Sequence, residues 1–265
     1  MQISAYIPCY NGAATLAHAI ESLNAQTLPP DELFMVDNHS IDSSRRIAER
    51  LGVRVIALAG DMGRGAARAR AMAEARFPLV ACCDASVVLP SDFLSRAVRW
   101  FDEPQVAAVC GRIAQEEARC VADRWRGRHL FRTEKRTAFL ENAPFTTGAA
   151  MARAEAVRQA GGYDPAQYHG EDADLGRRLL RAGCKVIFDP ALVYWQSDSN
   201  SVPRVLERYW RWARANGRMT FRTYLSQIKY SVTEMAREDL RSGDVSAALI
   251  SLASPHYQFW RDRVG

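Results

Sequence analysis

Residues 3–44 read ISAYIPCYNGAATLAHAIESLNAQTLPPDELFMVDNHSIDSS, and their pattern decides the fold. Ile3, Ala5 and Ile7 alternate as in a strand, which Pro8 is expected to close. Asn11 and Gly12 then open a helix that carries Leu16, Ile20 and Leu23 on one face. Pro29 and Pro30 end that unit. Leu33 to Val36 is a short unbroken apolar run, the mark of a strand buried on both faces. A helix over 40–51 follows, with Gly52 as its stop.

The same alternation continues outward. Val53 to Leu58 predicts a third strand, the Ala-rich stretch 63–76 a helix, and Leu79 to Cys83 a fourth strand ending at Asp84. This order implies an α/β fold with a mostly parallel central sheet flanked by helices. Ligands of such sheets bind beyond the carboxyl ends of the strands. Polar residues recur there: Tyr10 and Asn11, then Asp37 and Asn38, then Asp84. Three in successive units point to one shared site. The second half predicts strands over 106–110, 147–151, 186–188 and 192–195. It adds a charged, helical excursion over 115–140, a helix over 171–182 stopped by Gly183, and a helical C-terminal segment from Pro203 onward. The organisation expected is a first half over 1–105, a second half over 106–200 in the same α/β domain, and a helical extension over 201–265.

A chain of 265 residues with 48% hydrophobic and 25% charged residues has the composition of an ordinary globular protein. Its six cysteines form no C-x-x-C pair, so neither a zinc site nor a disulfide framework is indicated. Cys9, Cys83 and Cys110 lie in apolar runs and read as buried thiols in a reducing cytosol. The opening residues alternate like a strand and lack the basic start of a signal peptide. No apolar run approaches the roughly 18 residues of a spanning helix. The expected location is therefore cytoplasmic, with contact at the cytoplasmic membrane face.

The net charge of +5 is unevenly placed. Residues 112–136 hold eight Lys and Arg against four Asp and Glu, and 201–241 hold nine against four. Concentrated basic surface suits an anionic substrate or a membrane. Arg204, Arg208, Arg211, Arg218 and Arg222 recur at helical spacing as one stripe, interrupted by Gly217. Tyr209, Trp210, Trp212, Phe221 and Tyr224 add aromatic residues. Peripheral membrane helices have this pattern, and so do charged helices packed on a domain with a solvated face. No nucleic-acid-binding module accompanies the stripe, so a nucleic-acid partner is not expected. Gly63 and Gly65 do not begin a dinucleotide fingerprint, because Arg68 stands where its third glycine would be.

Two segments carry a family resemblance. IPCYNGAATLAHAIESLNAQTLPPDELFMVDNHSIDSS resembles the nucleotide-binding start of the family 2 glycosyltransferases, and FTTGAAMARAEAVRQAGGYDPAQYHGEDADLGRRLLRAG resembles their acceptor-side motif. The resemblance runs from about Ile3 to Trp195, in the family's order. It implies the GT-A fold and an inverting transfer from a nucleoside-diphosphate sugar, UDP-linked, to a glycan or lipid-linked acceptor. Pro8, Tyr10 and Asn11 would line the nucleoside pocket, Asp37 would bond the base, and Arg64 and Arg68 would lie near phosphate or base. Thr147 and Gly148 would flank the acceptor, Glu171 would orient the acceptor or the loop, and Asp172 would be the general base. Asp174 reads as structural, and His169 as either exposed or functional.

The family pattern Asp-x-Asp, whose last member binds Mn²⁺ or Mg²⁺ under the diphosphate, is here Asp84-Ala85-Ser86. Asp84 remains as a ligand for metal or ribose. Three readings stay open: weaker metal binding through Asp84, metal independence with arginines on the phosphate, or a catalytically silent nucleotide- or glycan-binding protein. Arg208 to Trp212 resembles the Q-x-x-R-W signature of processive members without its glutamine, and no spanning helices follow.

Overall fold

The computed structural model describes residues 1–115, 117–133, 138–198, 200–214 and 218–264. The chain forms two compact units, one of Met1–Ile113 with Arg136–Asp198 and one of Ala114–Lys135 with Ser199–Gly265. The expected halves 1–105 and 106–200 thus fall in one unit, while the excursion after residue 113 joins the C-terminal extension.

The first unit alternates β1 (Ile3–Cys9), α1 (Leu16–Asn24), β2 (Glu32–Asp37), α2 (Ser44–Arg50), β3 (Arg54–Ala57), α3 (Gly63–Glu74) and β4 (Leu79–Cys83). β5 (Val87–Val88), α4 (Phe93–Ala97) and β6 (Val106–Gln115) follow. The strand order is β3-β2-β1-β4, continued by β8 (Ala149–Arg153), β6, β9 (Lys185–Gln196) and β5. The first four strands are parallel. β8 runs antiparallel to both β4 and β6, and β5 antiparallel to β9, so the sheet is mixed beyond β4. The residues expected as two strands over 186–195 form the single strand β9.

β1 shows why this sheet is covered on both sides. Ile3, Ala5 and Ile7 pack with Leu16, Ala19, Ile20 and Leu23 of α1. Tyr6 points to the opposite face and packs with Ala67 and Ala71 of α3. The alternation along β1 is therefore an alternation between two cores. Pro8 lies within β1 rather than closing it. It pairs with Val36 of β2, past the last β4 pair at Tyr6 and Cys82, where an edge strand tolerates the missing N–H.

The acceptor-side half adds α6 (Ala154–Gln159) and α7 (Glu171–Arg181). Gly170, at φ +80°, turns the chain into α7, whose first turn carries Glu171, Asp172 and Asp174. Carboxylates there oppose the positive end of the helix dipole.

In the second unit, Ala122 and Trp125 of α5 (Val121–Trp125) pack with Val205 and Leu206 of α8 (Val202–Arg214) and with Ala247 and Ile250 of a C-terminal helix, 245–264. The basic residues of the excursion are partly internal. Arg124 donates to Asp244 at 2.7 Å, buried Arg126 pairs with Asp123 at 3.1 Å, and Arg128 and His129 both reach buried Asp239. Arg124 and Arg128, read as basic surface, are thus spent on carboxylates distant in sequence, and Arg126 on one three residues away.

The five-arginine stripe is not one helical face. Arg204, Arg208 and Arg211 lie on α8, Arg222 lies on the separate helix α9 (Phe221–Tyr230), and Arg218 lies between them. Gly217 lies outside the described residues. Trp210 is held by Asp262, its Nε1 donating at 2.7 Å. No helix among the described residues is long and apolar enough to cross a membrane.

Candidate active site

The carboxyl ends of β1 and β2 meet in a hydrogen-bonded pair of loops. Asn11 N–H donates to Ser40 Oγ, Gly12 N–H to Ser44 Oγ and Ala13 N–H to Asp42, each at 2.9 Å. The Asn11 side chain is used here too, accepting from Ile41 N–H at 2.9 Å. Its left-handed φ of 51° is a conformation that asparagine tolerates better than most residues. Tyr10 stands outside this web and is 54% exposed.

Asp37 is completely buried. Its carboxylate accepts from Ser40 N–H at 3.2 Å and from Arg45 Nε at 2.5 Å. Arg45, whose side chain is 41% exposed, is the charged partner that a nucleobase would meet at Asp37.

Arg68 is one of the two arginines expected near phosphate or base. It is 2% exposed and inserts under the site. Its Nε donates to Glu171 Oε1 at 2.9 Å, one terminal nitrogen to Asp84 Oδ1 at 3.0 Å, and the other to Cys82 Sγ at 2.7 Å. Burial opposes the guanidinium charge, but Cys82, Tyr6, Asp84 and Glu171 around it hold its pKa well above the ordinary arginine value. Burial likewise pushes the Cys82 thiol up to about 11. Arg68 therefore works as an internal cation that joins the end of β4 to the start of α7.

Glu171 shares this contact: its carboxylate is buried on Arg68, which ties the start of α7 to α3. Asp172, the next residue, is only half-buried, and its Oδ2 accepts from Thr147 Oγ1 at 3.2 Å. Asp84 N–H donates to Gly148 O at 2.9 Å, which brings the β4 end beside Thr147 and Gly148. The space left by the missing Gly148 side chain is taken by Tyr194: a Cβ there would stand 2.7 Å from its hydroxyl. Gly148 is thus required by packing against β9. Asp174 is structural as expected, paired with Arg178 at 2.8 Å.

The implied divalent cation finds a poor ligand set. Asp84 offers one carboxylate, with one oxygen on Arg68. Ser86 replaces the second carboxylate, and its Oγ accepts from Gln196 Nε2 at 2.5 Å. Among the described residues no three His, Cys, Asp or Glu side chains are grouped to hold a metal. The residues present do not fit a resident cation.

A second tie crosses the site's rim. Tyr168 hydroxyl donates to Asp61 at 2.5 Å, and Gly65 N–H to Gln167 O at 3.0 Å. The Asp61 hydrogen bond raises the Tyr168 phenol to about 12, and the Tyr168 hydrogen bond in turn lowers the Asp61 carboxyl. A Cβ on Gly65 would lie 2.2 Å from Asp164 O, so only glycine lets the 164–170 loop lie against α3. His169 stacks edge-on against Tyr168, ring centroids 5.0 Å apart. Sequence reasoning missed Asp61, Tyr168, Arg45, Tyr6, Cys82 and Gln196. The nearest signal was Tyr6, a polar-tipped aromatic in a mostly apolar strand.

A profile described as Glycosyl transferase family 2 matches residues 4–161. The O-antigen chain rhamnosyltransferase RfbN of Salmonella typhimurium is 23% identical over 79% of this chain and 70% of its own. The succinoglycan biosynthesis protein ExoA of Rhizobium meliloti is 30% identical over 74% of this chain, which spans 61% of ExoA. The mannosyltransferase PcManGT from Pyrobaculum calidifontis, solved with GDP-Man and Mn²⁺, aligns with 98% of this chain and 87% of its own at TM-score 0.62 and 16% identity. S. aureus TarS 1-349 with UDP aligns with 97% of this chain and 91% of its own at TM-score 0.60 and 15% identity. At these identities the structures establish the GT-A type of fold, and the profile match over more than half of the chain establishes the rest: this chain belongs to the family 2 glycosyl transferases.

Proposed function

We propose that this chain transfers a sugar from a nucleoside-diphosphate donor, UDP-linked, to an acceptor hydroxyl with inversion, in the building of a cell-surface glycan. The observation that carries the reading is the half-buried Asp172, held by Thr147 in the first turn of α7 and adjacent to the buried Arg68 cluster that ends in Asp84. Asp172 takes the acceptor proton, the acceptor oxygen bonds to the anomeric carbon, and the nucleoside diphosphate leaves from the opposite face with the bonding electron pair. Tyr10 covers the base, and Asp37 bonds its imide N–H once Arg45 gives way. UDP in TarS and the glycan products named for RfbN and ExoA support the donor class and the acceptor class. Contact with an anionic cytoplasmic membrane face rests on the exposed Arg204, Arg218, Arg222 and Phe221.

Thermal-shift titration with UDP, GDP, dTDP and their sugars tests the donor reading. Selective stabilisation by one nucleotide is expected, rising with its concentration. A flat response to all of them contradicts it. Ser86 favours a second reading, a nucleotide-binding protein without turnover. That reading predicts the same stabilisation with no nucleoside diphosphate released from any donor sugar.

A further inference from the structure

Ser86 and Gln196 occupy the position where the family's second metal-binding carboxylate would stand, and they are bonded to each other. Gln196 ends β9 and is buried, and its Nε2 donates to Ser86 Oγ at 2.5 Å. The register is pinned on both sides of the contact. Val87 pairs with Gln196 across β5 and β9, and Ser86 O accepts from both Ser197 N–H at 2.9 Å and Ser197 Oγ at 3.1 Å. A serine hydroxyl that accepts one hydrogen bond still has its own O–H to give. Among the described residues no group accepts it. Ser86 is a half-buried residue, two positions after half-buried Asp84 at the end of β4.

The charge of the site changes with this pair. A carboxylate carrying a divalent ion contributes one net positive charge, whereas a serine held by a glutamine contributes none. The nearby cation Arg68 already faces the two carboxylates Asp84 and Glu171. Mg²⁺ asks for six oxygen ligands in near-octahedral order, and Mn²⁺ favours similar donors. Asp84, with one oxygen on Arg68, is a single weak anchor for either.

We infer that Ser86, positioned by Gln196, donates its hydroxyl proton directly to a diphosphate oxygen of the donor, and that nucleotide binding by this chain does not depend on a divalent metal. The inference rests on the donor reading proposed above. Gln196 acts through Ser86 as a positioning residue: its amide holds the hydroxyl's acceptor side, which turns the O–H outward.

The test uses the full chain in two arms. In the first, Mn²⁺ alone is titrated against wild type and S86D and followed by electron paramagnetic resonance of the free ion. In the second, UDP and GDP are titrated calorimetrically in Mn²⁺ and in EDTA. Wild type should leave the free Mn²⁺ signal unchanged, and its nucleotide affinity should agree within about twofold between Mn²⁺ and EDTA, well inside the tenfold that marks a 1.4 kcal/mol contribution. S86A should weaken nucleotide binding in EDTA by about two- to tenfold, the size of one hydrogen bond, and Q196A by less. S86D should take up Mn²⁺ and bind nucleotide more tightly with it. Uptake of Mn²⁺ by wild type, or a tenfold or greater gain in nucleotide affinity with Mn²⁺, overturns the inference. If neither nucleotide binds, the donor reading fails, and the Mn²⁺ arm still judges the cation. Uptake by wild type then overturns metal independence, and uptake by S86D alone supports it.

Discussion

Arg68 and Glu171, 103 positions apart, form a buried ion pair at 2.9 Å that fastens α3 to the first turn of α7. Asp84 shares the same guanidinium at 3.0 Å. The donor-side strand β4 and the acceptor-side helix α7 are thereby set against one cation, and Asp172 follows Glu171 directly in the chain. Arg68 thereby ties the strand end that carries Asp84 to the helix that carries Asp172.

Removing that cation leaves a buried carboxylate unpaired. R68M is expected to lose about 3–5 kcal/mol of stability in urea unfolding. The double variant R68M/E171M should recover a large share of the loss, because it leaves no uncompensated charge at Glu171. Losses that simply add would show that the two residues are not coupled.

The Tyr168–Asp61 hydrogen bond makes a pH-dependent contribution. Its phenol is raised to about 12 in the folded chain, above the ordinary value of about 10. The contribution is whole below the ordinary value and is lost as pH rises through about 12. The Asp61 carboxyl is lowered, so its share is present above the ordinary carboxyl value and is lost as pH falls through the lowered one. Both groups are largely exposed, so Y168F should cost about 1 kcal/mol or less at neutral pH. The pH profile of Tm for Y168F against wild type reads this directly. The difference between the two should shrink on the alkaline side, and a constant difference would contradict the assignment.

Gly65 is the point where the acceptor loop rests on α3. A methyl group there meets Asp164 O at 2.2 Å and Gln167 O at 2.5 Å, both backbone atoms. G65A should cost about 1–3 kcal/mol. It should also raise KM for acceptor more than KM for donor, because the displaced loop leads into Gly170 and α7. Equal rises in the two KM values would place the loop's role elsewhere.

How much of this was legible depended on distance along the chain. The alternation from β1 to β4 is local, so Ile3, Ala5 and Ile7 on one side and Leu16, Ile20 and Leu23 on the other were enough to read it. Tyr10, Asp37 and Asp84 followed from the rule that sites gather at strand ends. What each carboxylate touches was not legible. Arg45 lies eight residues after Asp37, close enough to suspect, but no period singles it out. Arg68 with Glu171, and Gln196 with Ser86, meet only through sheet order, which the sequence does not carry. The basic stretch failed as surface for the same reason. Arg124 and Arg128 find Asp244 and Asp239 more than a hundred positions away. The arginine stripe failed because helical spacing was carried past the end of α8.

The central claim is that Asp172 is the base of a glycosyl transfer. It is tested most directly by measuring nucleoside-diphosphate release from the selected donor sugar with wild type and D172N. The amide keeps the shape and the Thr147 contact but cannot take a proton at neutral pH. The account predicts a kcat about 10²- to 10⁴-fold lower, with donor affinity and Tm close to wild type. Turnover by D172N at the wild-type rate would contradict it.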